Sequence, residues 1–189
     1  VSRPHSGPRL AAIDGAALGE EAHQRCQEYV TQLCVRVGAV HGTMGTGLLD
    51  DGSTLRHAVR TLTGYAQGLH GLDAPVAEYL QTIGEALWIR PIDGPVYQTP
   101  EIDATMRGDL DELQDDLAGR LCVVMVAATG REAIEHGKRV TVAQLAALLG
   151  YTSRYVTMLA VEGRIRLSGD PLTCSATEAK RVLAERSPQ

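Results

Sequence analysis

Residues 140–163 read VTVAQLAALLGYTSRYVTMLAVEG, and their spacing predicts two short helices joined by a glycine turn. Four positions carry the reading, Ala146, Gly150, Val156 and Leu159, in the pattern A-x3-G-x5-V-x2-L. Where two helices cross steeply over a turn of a few residues, the middle of the first must be small so that the second can approach; Ala146 meets that need. Gly150 falls at the turn, where positive φ is cheap only for glycine. Leu145, Leu149, Val156 and Leu159 recur at helical spacing on the inward faces, so both helices can share one small core. Thr141 followed at the third position by Gln144 is a capping-box start, and Thr152 can cap the second helix through its hydroxyl.

The residues that follow extend the pattern. After Gly163 come RIRL, the turn residues SGDP and then LTC, a predicted two-stranded hairpin with Arg164 and Arg166 on one strand. Ser175 to Glu178 is another capping box, opening a last helix, ATEAKRVLAER. Helix, turn, helix, hairpin, helix is the order of a winged helix.

Residues 140–186, about a quarter of the chain, resemble the small winged helix-turn-helix domains of the excisionase and MerR-like superfamily. Those domains run through a short helix, a Gly-x-Ser/Thr turn, a recognition helix ending in Glu-Gly, a wing and a closing helix. The matching landmarks here are Gly150-Tyr151-Thr152, Glu162-Gly163, the hairpin, and Lys180 to Arg186. The resemblance implies sequence-specific binding of double-stranded DNA, with the second helix in the major groove and the wing on the neighbouring backbone.

Charge distribution points the same way. The whole chain carries a formal charge of −5, which argues against general affinity for nucleic acid. Residues 131–189, however, hold nine Lys/Arg against six Asp/Glu, while residues 1–130 hold nine against seventeen. A basic C-terminal third on an acidic body is the footprint expected of a small DNA-binding module. With Val156 and Leu159 inward, the outward residues of the second helix are predicted to be Ser153, Arg154, Tyr155, Thr157 and Met158. Arg154 suits bidentate reading of guanine, and Thr157 and Met158 suit base edges or a thymine methyl. Thr152, Ser153 and Tyr155 suit phosphate oxygens near a helix N-terminus. Arg164 and Arg166 on the wing, with Arg139 before the first helix, would neutralise flanking phosphates. The plain alternative is that these exposed side chains are solvated and that Tyr155 is packed.

The first 130 residues say less. Of the 189 residues 44% are hydrophobic, with no Phe and one Trp, so the core must be built from aliphatic residues, which favours packed helices. The expected fold class is therefore mainly α, an N-terminal helical domain followed by a small C-terminal winged helix-turn-helix with a short β-hairpin. Residues 1–13 are expected to be a loose arm, 14–137 a helical domain serving oligomerisation or partner binding, and 138–189 the DNA-binding domain. Within the second, a long helix is predicted over 14–40, with Cys26, Tyr29, Val30, Leu33, Cys34 and Val37 at helical spacing. HGTMGTGLLDDGS, 41–53, is a glycine-rich break. Ser53 begins a helix to about Gly68, and Asp73-Ala74-Pro75 caps another running to about Trp88. RPIDGPVYQTP, 90–100, reads as an extended connector. Pro100 then opens an acidic helix that continues through the apolar run CVVMVAA, 122–128, to about His136. That run is too short and too bracketed by charge to cross a membrane, and is either a buried helix or one face of a subunit interface.

Other chemistries are weaker. The loop from Gly42 to Gly47 lacks the Lys-Ser/Thr and the preceding strand of a phosphate-binding loop. His23 and Cys26 share a helix face, but no C-x-x-C pairs with them and buried thiols explain them better than a metal. Asp109, Asp111, Glu112, Asp115 and Asp116 are more simply a solvated helix face than an ion site. With unpatterned cysteines and no leader motif, a cytoplasmic setting is expected. The sequence thus predicts no enzyme, no cofactor and no metal, but a DNA-binding regulator acting as a homodimer on two half-sites, a repressor or a controller of a mobile or plasmid-borne locus. The competing expectation is a helical adaptor whose C-terminal helices dock on a protein partner. Nothing in the sequence names an effector.

Overall fold

A computed structural model describes residues 9–38, 53–87 and 115–186. Residues 1–8 of the expected arm, nearly all of the glycine-rich break, the connector at 90–100 and the acidic stretch 101–114 lie outside the described residues. The described chain is mainly helical, with one small antiparallel sheet of three strands. A 3-10 turn, Leu10–Ala12, precedes α1 (Gly15–Gly38), α2 (Ser53–Gln67), α3 (Val76–Leu87) and α4 (Leu117–Glu135). Then come β1 (Val140–Thr141), α5 (Val142–Leu149), α6 (Ser153–Val161), β2 (Leu167–Ser168), β3 (Thr173–Cys174) and α7 (Ala176–Arg186).

The first core lies between the 3-10 turn and α1 to α5. Leu62, Val59, Ala66, Ile83, Val76, Leu121, Val124, Ala127 and Ala128 are its most enclosed members. Helix α1 meets α2 closely because it presents glycines one turn apart. A methyl added at Gly15 would sit 2.9 Å from Thr63 Cβ, and one at Gly19 would sit 3.2 Å from the Arg56 carbonyl oxygen. Cys26 is buried on α1, whereas the side chains of Tyr29, Val30, Leu33, Cys34 and Val37 lie outside the described residues. Part of the expected arm is in fact packed. Leu10 and Ile13 are buried, and Gln67 Nε2 donates to both of their carbonyls at 2.8 Å. Two apolar side chains and two satisfied carbonyls fix residues 9–13 to α2, so the packed body begins before Asp14. Asp14 then caps α1, accepting from the Ala16 amide at 2.8 Å.

The acidic segment does not run unbroken into the apolar one. Asp116 is extended and accepts from the Gly119 amide at 2.8 Å, so α4 starts afresh at Leu117. Aspartate competes with helical backbone through its own carboxylate, and a run of aspartates offers a ready N-cap. The apolar run 122–128 is covered within the chain, with Cys122, Val123, Val124, Val126, Ala127 and Ala128 all buried.

A second core holds Ile134, Val140, Leu145, Ala146, Leu149, Val156, Leu159, Ile165, Cys174 and Ala179. Helix α5 belongs to both cores. Its Ala143 and Ala147 enter the first, and Leu145, Ala146 and Leu149 enter the second. Contact with α4 is tight at Gly130, where an added methyl would lie 2.9 Å from Gln144 Cβ and 3.2 Å from Leu148 Cδ1. Gln144 Nε2 also donates to Thr129 Oγ1 across this seam, at 3.3 Å.

Candidate nucleic-acid interface

The expected pair of short helices is present and locally well specified. Thr141 Oγ1 accepts from the Gln144 amide at 3.1 Å while the Gln144 carboxamide oxygen accepts from the Thr141 amide at 2.9 Å, a complete capping box at the start of α5. Gly150 ends it at φ 60°, ψ 38°. That left-handed turn brings the Tyr151 amide to the Ala146 carbonyl at 2.9 Å. Ala146 is fully buried, as the crossing of α6 over α5 requires. Thr152 Oγ1 accepts from the Tyr155 amide at 3.0 Å and opens α6. A second glycine, Gly163 at φ 74°, closes α6 in the same way, with the Arg164 amide on the Leu159 carbonyl at 2.9 Å, and turns the chain so that Ile165 is buried.

The hairpin departs from the expected form in two respects. It has a third strand, with β1 pairing β3 through Val140 opposite Cys174, so the order is β1–β3–β2. Arg164 and Arg166 precede β2 rather than lying within it, because Gly163 and the burial of Ile165 hold that segment against the second core. Ser175 Oγ accepts from the Glu178 amide at 3.3 Å, one half of the expected capping box. The Glu178 carboxylate is turned elsewhere. It accepts from the Arg166 amide at 3.0 Å and from Arg181 Nη2 at 2.7 Å. The Arg181 guanidinium beside it holds the Glu178 carboxyl below the ordinary glutamate range, aided by the Arg166 amide.

Of the residues expected to face outward on α6, Arg154 and Met158 are exposed. Ser153, Tyr155 and Thr157 are half-buried. Tyr155 packs edge to face on Tyr151, ring centroids 4.9 Å apart, against the second core. An aromatic body near a helix start gains more from apolar cover than from full exposure, which corrects its placement on the outward face. Thr157 Oγ1 donates to the Ser153 carbonyl at 3.0 Å, and the Thr152 hydroxyl serves as the cap. Sequence reasoning missed Val161, which is 85% exposed on the same stripe as Arg154 and Met158. The signal was available, since positions 154, 158 and 161 follow i, i+4, i+7 spacing.

Arg139 acts on the hairpin itself. Its Nε donates to Thr173 Oγ1 at 2.7 Å, and Nη2 donates to the Ser168 carbonyl at 2.9 Å and the Thr173 carbonyl at 3.1 Å. It therefore clamps both arms of the hairpin turn. Arg164 and Arg166 are exposed and line an open groove of about 520 Å³ with Gly163, Glu178, Arg181 and Glu185. Both carboxylates of that groove are engaged by Arg181. The arrangement can offer cations and an amphipathic helix face to a polyanion, while the buried Cys174 thiol, pushed up to about 11 by burial, is chemically quiet.

Elsewhere, His23 and Cys26 are buried on α1, and Asp115 pairs with Arg120. Among the described residues no three His, Cys, Asp or Glu side chains gather as a metal site, and no helix is long and apolar enough to cross a membrane. Compared with known proteins, the chain matches no family model, no curated sequence and no solved structure.

Proposed function

We propose that this chain is a sequence-specific double-stranded DNA-binding regulator, with residues 138–189 acting as a winged helix-turn-helix. The observation that carries this reading is the α5–α6 pair, two short helices joined at a left-handed glycine and packed over a buried alanine, with Arg154 and Met158 exposed on α6. In this reading α6 enters the major groove, Arg154 donates to guanine, and Arg164 and Arg166 meet flanking phosphates. The Thr152 and Ser153 end of α6 lies toward a phosphate, where amide dipoles favour negative charge. Arg139 contributes by holding the hairpin in shape. Two copies on two half-sites would supply the affinity that a module of this size lacks alone.

The test is a gel shift on random and genomic fragments at low and moderate salt. Selected fragments, a steep salt dependence and a two-fold repeat in the recovered site are expected. Arg154→Ala should relax base preference, while Arg166→Ala should weaken binding evenly and lower the salt slope by about one. Point variants are preferable to deleting residues 138–189, because α5 completes the first core through Ala143 and Ala147. Indifference of the purified protein to duplexes under all these conditions refutes the proposal, and a helical adaptor then becomes the better reading.

A further inference from the structure

The described chain exposes few large apolar side chains, Leu69, Met158, Val161 and Leu172, and two of them are neighbours on α6. Met158 is 39% and Val161 85% exposed. At a helical rise of 1.5 Å per residue, Arg154, Met158 and Val161 mark out a stripe roughly 10 Å long, about three base steps at ~3.4 Å each. A protein partner is a poor match for it. The two side chains offer on the order of 200 Å², against ~800 Å² per partner in a stable interface. Arg154 is exposed on the same helix, and exposed Arg164 and Arg166 follow its C-terminal end in the chain, against one exposed acid there, Glu162. Charge complementarity selects a polyanion that carries small apolar groups at regular spacing. Duplex DNA has one such group in its major groove, the C5-methyl of thymine.

We propose that Met158 and Val161 read thymine methyl groups, so that the preferred site places thymines within three base steps of the guanine contacted by Arg154. This inference rests on the DNA-binding reading above and adds a base composition to it. Arg154 supplies hydrogen-bond discrimination at one end of the stripe, and the two apolar side chains supply methyl discrimination along the rest. No bond is made or broken; the gain is removal of methyl and side-chain surface from water.

Uracil isolates the claim, since replacing thymine by deoxyuridine removes the methyl and keeps every hydrogen-bonding edge and phosphate. The full chain is put through selection from a random duplex library, and the recovered site is then remade with single and multiple thymine-to-deoxyuridine changes. Binding should weaken about fourfold per contacted methyl, the Boltzmann equivalent of ~0.8 kcal/mol. Val161→Ser and Met158→Ala should each bring one of those ratios to about one while leaving the response to Arg154→Ala intact. Both positions are exposed, and far-ultraviolet dichroism should show both variants folded. Equal binding of thymine and deoxyuridine sites, with Arg154→Ala still relaxing base preference, overturns the methyl inference and leaves the DNA reading standing. Failure to select any duplex overturns both. Concentration-dependent self-association that Val161→Ser abolishes, without change in DNA binding, also overturns it by assigning the patch to a second copy.

Discussion

Glu178→Ala tests whether the segment leading into the hairpin is held by the last helix. The Glu178 carboxylate is only 12% exposed and accepts the Arg166 amide at 3.0 Å, twelve residues away in sequence. A hydrogen bond to a charged acceptor contributes about 1.5–3 kcal/mol, and the low end is appropriate beside solvent. Its loss should let the Arg166 amide open without unfolding the chain. An opening cost reduced by about 1.5 kcal/mol corresponds to roughly tenfold faster hydrogen exchange. Amide exchange followed by NMR would read it residue by residue. Arg166 and its neighbour Leu167 should accelerate by that factor, while Val124 and Ala127 in the first core exchange as before. Unchanged exchange at Arg166 would refute the reasoning, because Glu178 is the acceptor that holds that amide. In the DNA-binding reading, the same variant should bind its selected site severalfold less tightly with its base preference retained.

The pH dependence follows from the same carboxylate. Because the folded-state pKa of Glu178 is depressed by Arg181 and the Arg166 amide, its contribution is complete above the ordinary glutamate value of about 4.3 and is lost as pH falls through the depressed one. Exchange at Arg166 relative to the first core should therefore rise only in that acid range, and Glu178→Gln should abolish the step. Gly130→Ala should push α5 off α4, given the 2.9 Å approach to Gln144 Cβ. Overpacking of this kind costs about 1–3 kcal/mol, read as a melting temperature lower by about 2–4 °C per kcal/mol. Arg139→Met should free the hairpin turn without touching either core. Faster exchange at the Ser168 and Thr173 amides, with the melting temperature nearly unchanged, is the expected result.

The C-terminal helices were legible because their signals are local. The Thr141–Gln144 box, the left-handed Gly150, the Thr152 cap and the inward series Leu145, Leu149, Val156 and Leu159 all act within a turn or two of chain. What escaped depends on distant partners. The strand at Val140 exists only because Cys174 lies opposite it, and nothing in two residues of sequence announces such a pairing. Glu178 looked like half of a capping box, but a carboxylate on the first turn can reach Arg166 and Arg181 as readily as its own helix end. For Arg139 the charge was visible, while its bonds to the carbonyls of Ser168 and Thr173 were not. The start of α4 failed differently. Acidic and apolar stretches both suit helix, and it is the Asp116 bond to the Gly119 amide that marks where α4 begins.

Helix α5 has no idle face, since one side completes the helical body and the other carries the α6 pair. The element that precedes the outward stripe is thus a shared beam and not a tether. In the DNA-binding reading proposed above, two copies joined through their bodies would hold their α6 helices at a set separation and phase. Such an assembly should accept one spacing between half-sites and reject a spacer longer or shorter by a few base pairs, where a flexibly tethered reader would tolerate both.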